Sequence, residues 1–155
     1  KPRAAHAPIF DRRMIEQIAI GGLAVGVVAF TSYGAALATG ATHAAAQGIA
    51  LWVLVWCENA HCLNSRSETR SVFRIPLANN PFLVLAIIGT QLLQVAVLAV
   101  PPLRTLLSLE ALTLADGMRL ALAGVVVLAV MEVYKLVRPA DDPARPRGRF
   151  AAAQQ

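Results

Sequence analysis

The apolar residues of this chain gather into four long runs separated by short polar stretches. The runs cover residues 18–40, 44–63, 82–103 and 120–137. Each run comes close to the roughly 20 residues that an α-helix needs to cross the hydrocarbon core of a bilayer. The pattern therefore predicts an all-α fold, an integral membrane bundle of four transmembrane helices.

Local signals refine the ends of these helices, which we expect over about 14–38, 43–63, 81–101 and 116–137. Asn79-Asn80-Pro81 predicts the start of the third helix, because asparagine caps a helix and proline fits its first turn. Pro101-Pro102 ends it, since proline cannot continue a helix interior. Residues 103–114 are apolar with a few polar residues and predict a short helix on the outer interface. Thr113 or Asp116 then caps the fourth helix.

The two ends of the chain have a different composition from the runs. Residues 1–13 are basic, begin Lys-Pro and read as a cytoplasmic leader or linker, so we expect a fragment or a processed product. The first run is not a cleavable signal peptide, because a basic leader precedes it and three more runs follow. Residues 14–138 form the predicted transmembrane domain. Residues 139–155 are rich in Pro, Arg and Ala and predict a disordered cytoplasmic tail.

Composition and charge support a membrane protein with both termini inside the cell. Hydrophobic residues make up 57% of the chain and charged residues 15%, whereas soluble domains typically carry about 25% charged residues. Twelve of the fourteen Lys and Arg residues flank the runs on one side, which the positive-inside rule makes cytoplasmic. No basic stripe carries interleaved aromatic residues, so we expect no nucleic-acid partner. The basic patches would instead meet anionic lipid headgroups.

Glu58 is the candidate functional residue, because it is a carboxylate inside an apolar run. An ionisable group at membrane depth costs about 2.5 kcal/mol or more and usually belongs to an ion or substrate path. On a helix, His61 and Cys62 would share its edge, with Asn59 beside it. The alternative is that Glu58 lies near the cytoplasmic end and snorkels to water, since only Leu63 separates His61 and Cys62 from the polar loop.

Other polar residues within the runs suggest packing rather than chemistry. Gln91 and Gln94, near Thr90, are more simply hydrogen-bonded to a neighbouring helix than bound to an ion. Glu132 precedes Lys135 by one turn and predicts a local ion pair.

Small and aromatic residues also carry predictions about packing. The first run holds four glycines at spacings that let a neighbouring helix approach: Gly21, Gly22, Gly26 and Gly34. Trp52 and Trp56 share one helical face inside the second run, which favours packing against protein or lipid over an interfacial belt. Cys57 and Cys62 point in different directions on a helix and give neither a zinc pattern nor a disulfide framework.

The sequence contains none of the motifs that bind or hydrolyse nucleotides. It has no Walker A loop, no glycine-rich dinucleotide loop, no HExxH and no nucleophile elbow. A phosphate-binding or phosphorylated-aspartate motif is also missing. Taken alone, the chain is therefore not predicted to be an enzyme or to hold a cofactor.

Four segments, in order, resemble the end of a P-type cation-transporting ATPase of the calcium-pump branch. Residues 58–68 (ENAHCLNSRSE) with 71–74 (SVFR) resemble its eighth membrane helix and the loop that follows. Asn80-Pro81 and the later Val100-Pro101-Pro102-Leu103 are similar to the ninth helix. Glu132-Val133-Tyr134-Lys135 resembles the end of the tenth, and residues 18–22 (IAIGG) the seventh. The likeness covers roughly residues 8–138.

The resemblance implies a role in cation transport. In that family a glutamate at the Glu58 position supplies an oxygen to one of two calcium sites, and the fourth, fifth and sixth helices supply the rest. The chain would thus brace the transport helices and lend Glu58 to a cation path. Calcium is the first expectation, with manganese, sodium and protons left open. His61 and Cys62 are not implied as ligands.

The partners follow from the same resemblance. They are the lipid bilayer and the remaining helices and cytoplasmic domains of the ATPase, and ATP and Mg2+ would act only through domains upstream. The location would be the plasma membrane of a bacterium. The short hairpin between the first two helices departs from the animal calcium pumps, where that loop is longer.

Two other functions fit parts of the pattern. A non-catalytic membrane scaffold or regulatory subunit would keep the fold and leave Glu58 idle. A small proton-coupled antiporter would use one membrane carboxylate, but it would want that carboxylate near mid-span within an aromatic cage. Glu58 is off-centre in its run, and aromatic residues make up only 6% of the chain.

Overall fold

The computed structural model describes residues 12–138, and within that range the fold is all-α. The helices are α1 (Arg12–Ala38), α2 (His43–Asn64), α3 (Pro81–Ala99), α4 (Pro101–Leu106), α5 (Leu114–Arg119) and α6 (Ala121–Val137). Two 3-10 turns, Val72–Arg74 and Leu77–Asn79, lie between α2 and α3. The helical fold class is confirmed. Most of the predicted leader and the predicted tail lie outside the described residues, and the division of the chain into three parts stays a prediction.

Three helical segments of the described chain are long and apolar enough to cross a membrane. They are α1, α3 and the segment Leu114–Val137, which α5 and α6 form together. The second helix, α2, has 22 residues but includes Gln47, Glu58, Asn59, His61 and Asn64, and it is not among the three. The predicted count of four spans is therefore not confirmed.

The polarity of α2 is explained by its place in the bundle. This helix packs against both α1 and α6, and α3 packs against it less extensively. The core consists of Val53 and Cys57 from α2, Val25 from α1 and Val127 from α6. Because protein covers much of α2, this helix needs less apolar surface than a helix surrounded by lipid.

The closest helix contacts occur at glycines. Most of the glycines at which the sequence predicted close contacts have no described neighbour, however. A Cβ added to Gly124 of α6 would lie 2.9 Å from the Trp56 carbonyl oxygen of α2. Of the four glycines predicted to pack in α1, Gly21 meets a neighbour, and Gly22, Gly26 and Gly34 meet nothing within 4 Å. The prediction is not confirmed for these three glycines, because they lie on faces of α1 that no described helix covers.

The two tryptophans of α2 pack inside the protein. Trp52 is 2% exposed, and a Cβ on Gly117 would lie 2.7 Å from its ring. Trp56 donates a hydrogen bond from Nε1 to the Gly117 carbonyl oxygen at 3.0 Å. The prediction that both pack rather than form an interfacial belt is confirmed, with protein as the partner.

The helix ends follow local sequence signals. The Asn80 side chain accepts a hydrogen bond from Leu83 N at 3.0 Å and caps α3, with Pro81 in the first turn. Thr113 caps α5 by accepting from Asp116 N at 3.1 Å. Both predicted caps are confirmed. The predicted short helix over 103–114 was wrong in its extent, because α4 starts at Pro101 and ends at Leu106.

The beginning of α1, the 65–80 loop and the end of α6 meet at one end of the bundle. Arg13 donates hydrogen bonds to the carbonyl oxygens of Glu68 at 2.8 Å and Arg138 at 2.7 Å. Glu16 of α1 forms an ion pair with Arg138 and accepts a hydrogen bond from the Tyr134 hydroxyl at 3.1 Å. Both ends of the described chain thus lie on the same side, and the cytoplasmic orientation of that side stays a prediction.

Candidate functional site

One face of α2 is not covered by any described helix. Four exposed residues of this face recur at intervals of seven, four and four positions, which places them in a single line along the helix. We call this line the open stripe, and it consists of Gln47, Leu54, Glu58 and Cys62. The opposite side of α2 carries the residues that pack against α1 and α6.

Glu58 lies on the open stripe, exposed at the surface of the described bundle. Its carboxylate forms no hydrogen bond or ion pair with another residue between positions 12 and 138. Glu58 precedes the last residue of α2 by six positions, about 9 Å along the helix axis. A carboxylate in an apolar environment needs water or polar groups from further protein, because hydrocarbon does not solvate it.

The two neighbours predicted to share the edge of Glu58 separate in the structure. Cys62 lies on the open stripe. His61 instead turns toward α1, where its ring occupies the space that a side chain on Gly21 would need. The prediction was thus wrong for His61, because three residues onward on a helix is about 60° away from Glu58 and here faces the packed side.

The described residues hold no group of three or more His, Cys, Asp or Glu side chains that could bind a metal ion. A hard cation such as Ca2+ takes six to eight oxygen ligands. The open stripe contributes at most two of these, from the Glu58 carboxylate, because the Gln47 amide lies about 16 Å away along the helix axis. A complete cation site therefore needs ligands from outside residues 12–138.

A buried polar contact joins α2 to α3. The Thr90 hydroxyl of α3 donates to Asn59 Oδ1 of α2 at 3.1 Å, and Asn59 is 8% exposed. The predicted interhelical hydrogen bond therefore comes from Thr90. The side-chain nitrogens of Gln91 and Gln94 are buried without a hydrogen-bond partner in the described part of the chain, so the two glutamines do not supply the bond that was expected of them.

Lys135 forms a buried polar cluster at the end of α6. It is 6% exposed, and its Nζ donates to Asn64 O at 3.0 Å, Asn64 Oδ1 at 2.7 Å and Arg70 O at 3.1 Å. The Glu132 carboxylate lies 3.4 Å from Nζ and also accepts from Val72 N at 3.0 Å. The predicted Glu132–Lys135 ion pair is confirmed. The sequence did not reveal that Lys135 also fastens α2 and the 65–80 loop to α6.

Arg66 stabilises the 65–80 loop through hydrogen bonds to its backbone. Its guanidinium donates to the carbonyl oxygens of Leu63 and Pro76, both at 3.1 Å, and of Ile75 at 3.0 Å. This side chain thus fixes the turn after α2 by saturating backbone acceptors.

The other end of the bundle is closed by two polar contacts. The Tyr33 hydroxyl lies 2.9 Å from His43 Nδ1 and joins α1 to α2. The Thr42 hydroxyl donates to the Glu110 carboxylate in the segment between α4 and α5. His43 therefore has a specific partner in α1.

Apolar membrane-length helices around a polar central helix define a multi-pass membrane domain. The chain matches the family described as "Cation transporting ATPase, C-terminus" over residues 1–137. It belongs to that family, and the resemblance to the C-terminal domain of calcium-pump-like ATPases is confirmed.

Several similar proteins are named as calcium-transporting ATPases. The chain is 29% identical to "Calcium-transporting ATPase 1" of Bacillus cereus over 154 residues, covering 89% of this chain and 17% of that protein. It is 38% identical over 58% of its length to "Calcium-transporting ATPase" of Plasmodium falciparum, of which this covers 7%. It is 34% identical over 64% of its length to "Calcium-transporting ATPase type 2C member 1" of Mus musculus, of which this covers 11%. The chain therefore spans about a sixth of these relatives or less.

Proposed function

We propose that this chain is the C-terminal membrane domain of a calcium-transporting P-type ATPase, in which it braces the transport helices and contributes Glu58 to the calcium path. The observation that carries the proposal is the open stripe of α2, where the Glu58 carboxylate has no partner among the described residues. Family membership and the names of the relatives support calcium as the cation.

Calcium coordination would require further ligands to cover the open stripe. Ca2+ prefers carboxylate, amide and backbone carbonyl oxygens, six to eight of them. Glu58 supplies one carboxylate, so further helices of the ATPase would cover the stripe and complete the oxygen shell. ATP and Mg2+ would act through cytoplasmic domains of the same pump, since this chain carries no motif that binds them.

The membrane arrangement is part of the proposal. The helix α2 would cross the bilayer as a fourth span, shielded by α1 and α6. The end that holds the 65–80 loop and both ends of the described chain would face the cytoplasm, because most of the Lys and Arg residues lie there. The pump would reside in the plasma membrane of a bacterium, in line with the relative from Bacillus cereus.

The test is a substitution of Glu58 in the full-length protein. Glu58→Gln removes the charge and keeps the shape, so the calcium concentration for half-maximal phosphoenzyme formation should rise about tenfold or more, because even residues that only support metal ligands are worth about 10- to 100-fold in affinity. Glu68→Gln is the matched control, since this exposed carboxylate lies in the 65–80 loop.

Calcium-dependent phosphoenzyme formation by both variants distinguishes a contribution of Glu58 to the calcium path from a purely scaffolding role of the chain. Glu68→Gln should keep the calcium dependence of the unaltered protein. An unchanged calcium dependence in Glu58→Gln would remove Glu58 from the cation path and leave the chain as a membrane scaffold.

A further inference from the structure

A cavity of about 510 Å³ opens beside the end of α6, away from the open stripe. Its walls come from the 65–80 loop and from the last turns of α6. The lining residues are Thr69, Arg70, Ser71, Arg74, Glu132, Lys135 and Leu136. We call this cavity the arginine cleft.

The arginine cleft carries an uncompensated positive charge. Lys135 and Glu132 are paired with each other in its wall. Arg70 and Arg74 are exposed, and their guanidinium groups form no hydrogen bond or ion pair with another residue of the described range. Arg66 differs, because backbone carbonyls saturate its guanidinium. Two guanidinium groups with free donors in one cavity favour a phosphate ligand, which a guanidinium binds through paired hydrogen bonds.

The apolar residue Leu136 lines the cleft, and the apolar residues Phe73 and Val137 are sequence neighbours of lining residues. We call these three side chains the apolar rim. Phe73 is 82% exposed, Leu136 is 80% exposed and Val137 is 74% exposed. Leu136 and Val137 end the membrane-length segment Leu114–Val137, so the cleft lies at the level where lipid headgroups meet the hydrocarbon core. A soluble anion has no apolar part that could contact this rim, whereas the acyl chains of a phospholipid would cover it.

We propose that the arginine cleft binds the phosphate of an anionic phospholipid from the surrounding bilayer, with Arg70 and Arg74 on the phosphate and the acyl chains against Phe73 and Leu136. The phosphate chemistry alone is shared with soluble phosphate esters, and the apolar rim selects the lipid. This inference requires that the chain spans a membrane, but it does not rest on any role of Glu58.

The test compares two double variants of the full-length protein that change the net charge equally. Arg70→Gln with Arg74→Gln empties the cleft of its free guanidinium groups. Arg104→Gln with Arg119→Gln removes two charges from the opposite end of the bundle. Native mass spectrometry in detergent then measures the binding of short-chain phosphatidylglycerol and phosphatidylcholine to each protein.

The unaltered protein and the Arg104/Arg119 variant should prefer phosphatidylglycerol to phosphatidylcholine. The Arg70/Arg74 variant should bind phosphatidylglycerol about thirtyfold more weakly, the effect of two basic residues near an anionic lipid. Equal affinity of the two double variants for phosphatidylglycerol would overturn the proposal. Phe73→Ser should also weaken phosphatidylglycerol binding, and unchanged binding would exclude the apolar rim from the site.

Two further measurements separate the possible ligands and the two proposals. Glycerol phosphate should fail to displace phosphatidylglycerol from the cleft, and efficient displacement would show that the site takes a soluble phosphate ester instead. Glu58→Gln should keep the phosphatidylglycerol affinity of the unaltered protein. The lipid proposal and the calcium proposal can therefore fail independently of each other.

Discussion

Lys135 and Arg119 form ion pairs with the same sequence spacing in very different surroundings. The side chains of Lys135 and Glu132 are 3% and 17% exposed, and those of Arg119 and Asp116 are 77% and 44% exposed. Lys135 also satisfies three oxygens of Asn64 and Arg70. Its removal would leave the Glu132 carboxylate without its cation and take the Lys135 donor away from these three acceptors, which is far costlier than the loss of a solvated pair.

We predict that Lys135→Met destabilises the protein by about 3–5 kcal/mol, the range found when one partner of a buried pair is removed. Arg119→Met is the control and should cost at most about 1 kcal/mol, because its pair is exposed. The free energy of unfolding in one detergent, measured by denaturant titration, distinguishes the two. Similar losses in both variants would contradict the structural role of Lys135.

Only the local contact of this polar cluster could be predicted from the sequence. The Glu132–Lys135 pair was predictable because its partners are one helical turn apart. The contacts of Lys135 with Asn64 and Arg70 join residues separated by 71 and 65 positions, and no local pattern reports such a separation. His61 was misplaced for a related reason, since the sequence does not say which side of α2 meets Gly21.

At the scale of the helices, the close approach of α2 and α6 depends on a missing side chain. A Cβ on Gly124 would lie 2.9 Å from the backbone oxygen of Trp56 and 3.4 Å from the Cβ of Ala60. A backbone atom cannot rotate away, so the two helices would have to move apart. Gly89 of α3 lies in open space in the described bundle, with nothing within 4 Å of the same position.

Gly124→Ala should therefore lower the free energy of unfolding by about 1–3 kcal/mol, the usual cost of overpacking. Gly89→Ala should be neutral or slightly stabilising, because alanine favours a helix by up to about 1 kcal/mol over glycine. Thermal unfolding of both variants in the same detergent checks the difference. An unchanged unfolding temperature in the Gly124→Ala variant would mean that α2 and α6 lie further apart than described.

Helix ends were predictable and helix neighbours were not. Asn80 and Thr113 cap their helices through contacts within three residues, which the sequence displays directly. Gly22, Gly26 and Gly34 have the spacing of a packing face but no neighbour in the described bundle. Apolar length and hydropathy also favour α1, α3 and Leu114–Val137 as spans, whereas α2 carries more polar residues and is not among them.

At the scale of the whole molecule, the 65–80 loop and the α4–α5 segment lie at opposite ends of the bundle. The loop contacts Arg13, near the start of α1, and Lys135, near the end of α6. The Glu110 side chain in the α4–α5 segment contacts Thr42, just before α2. A single set of membrane-impermeant labels can therefore determine the orientation.

We predict that a cysteine at Thr69 is labelled only from the cytoplasmic side, and a cysteine at Ala111 only from the outer side. Both residues are exposed, so each should react when its side is accessible. Labelling of intact cells and of inverted vesicles by a membrane-impermeant maleimide, in a background without Cys57 and Cys62, provides the readout. Labelling of both sites from the same side would exclude the proposed orientation.

The open stripe of α2 is the feature on which the proposed function depends. The sequence singled out Glu58 as an unusual carboxylate, but only the packing of α1 and α6 on the other sides of α2 leaves its face uncovered. In the proposed pump, further helices covering that face would give Glu58 a polar environment and shield α2 from lipid.

Collision accessibility of a spin label at Leu54, one turn before Glu58 on the open stripe, tests this claim most directly. The label is introduced in the full-length protein through Leu54→Cys, in a background without other reactive cysteines. A label through Leu85→Cys of α3, which is 66% exposed, serves as the lipid-facing control. The label at position 54 should be immobile and protected from both oxygen and a nickel complex, while the label at position 85 should collide freely with oxygen. Oxygen collisions at position 54 as frequent as those at position 85 would show that the stripe faces lipid and would contradict a place for Glu58 in a calcium path.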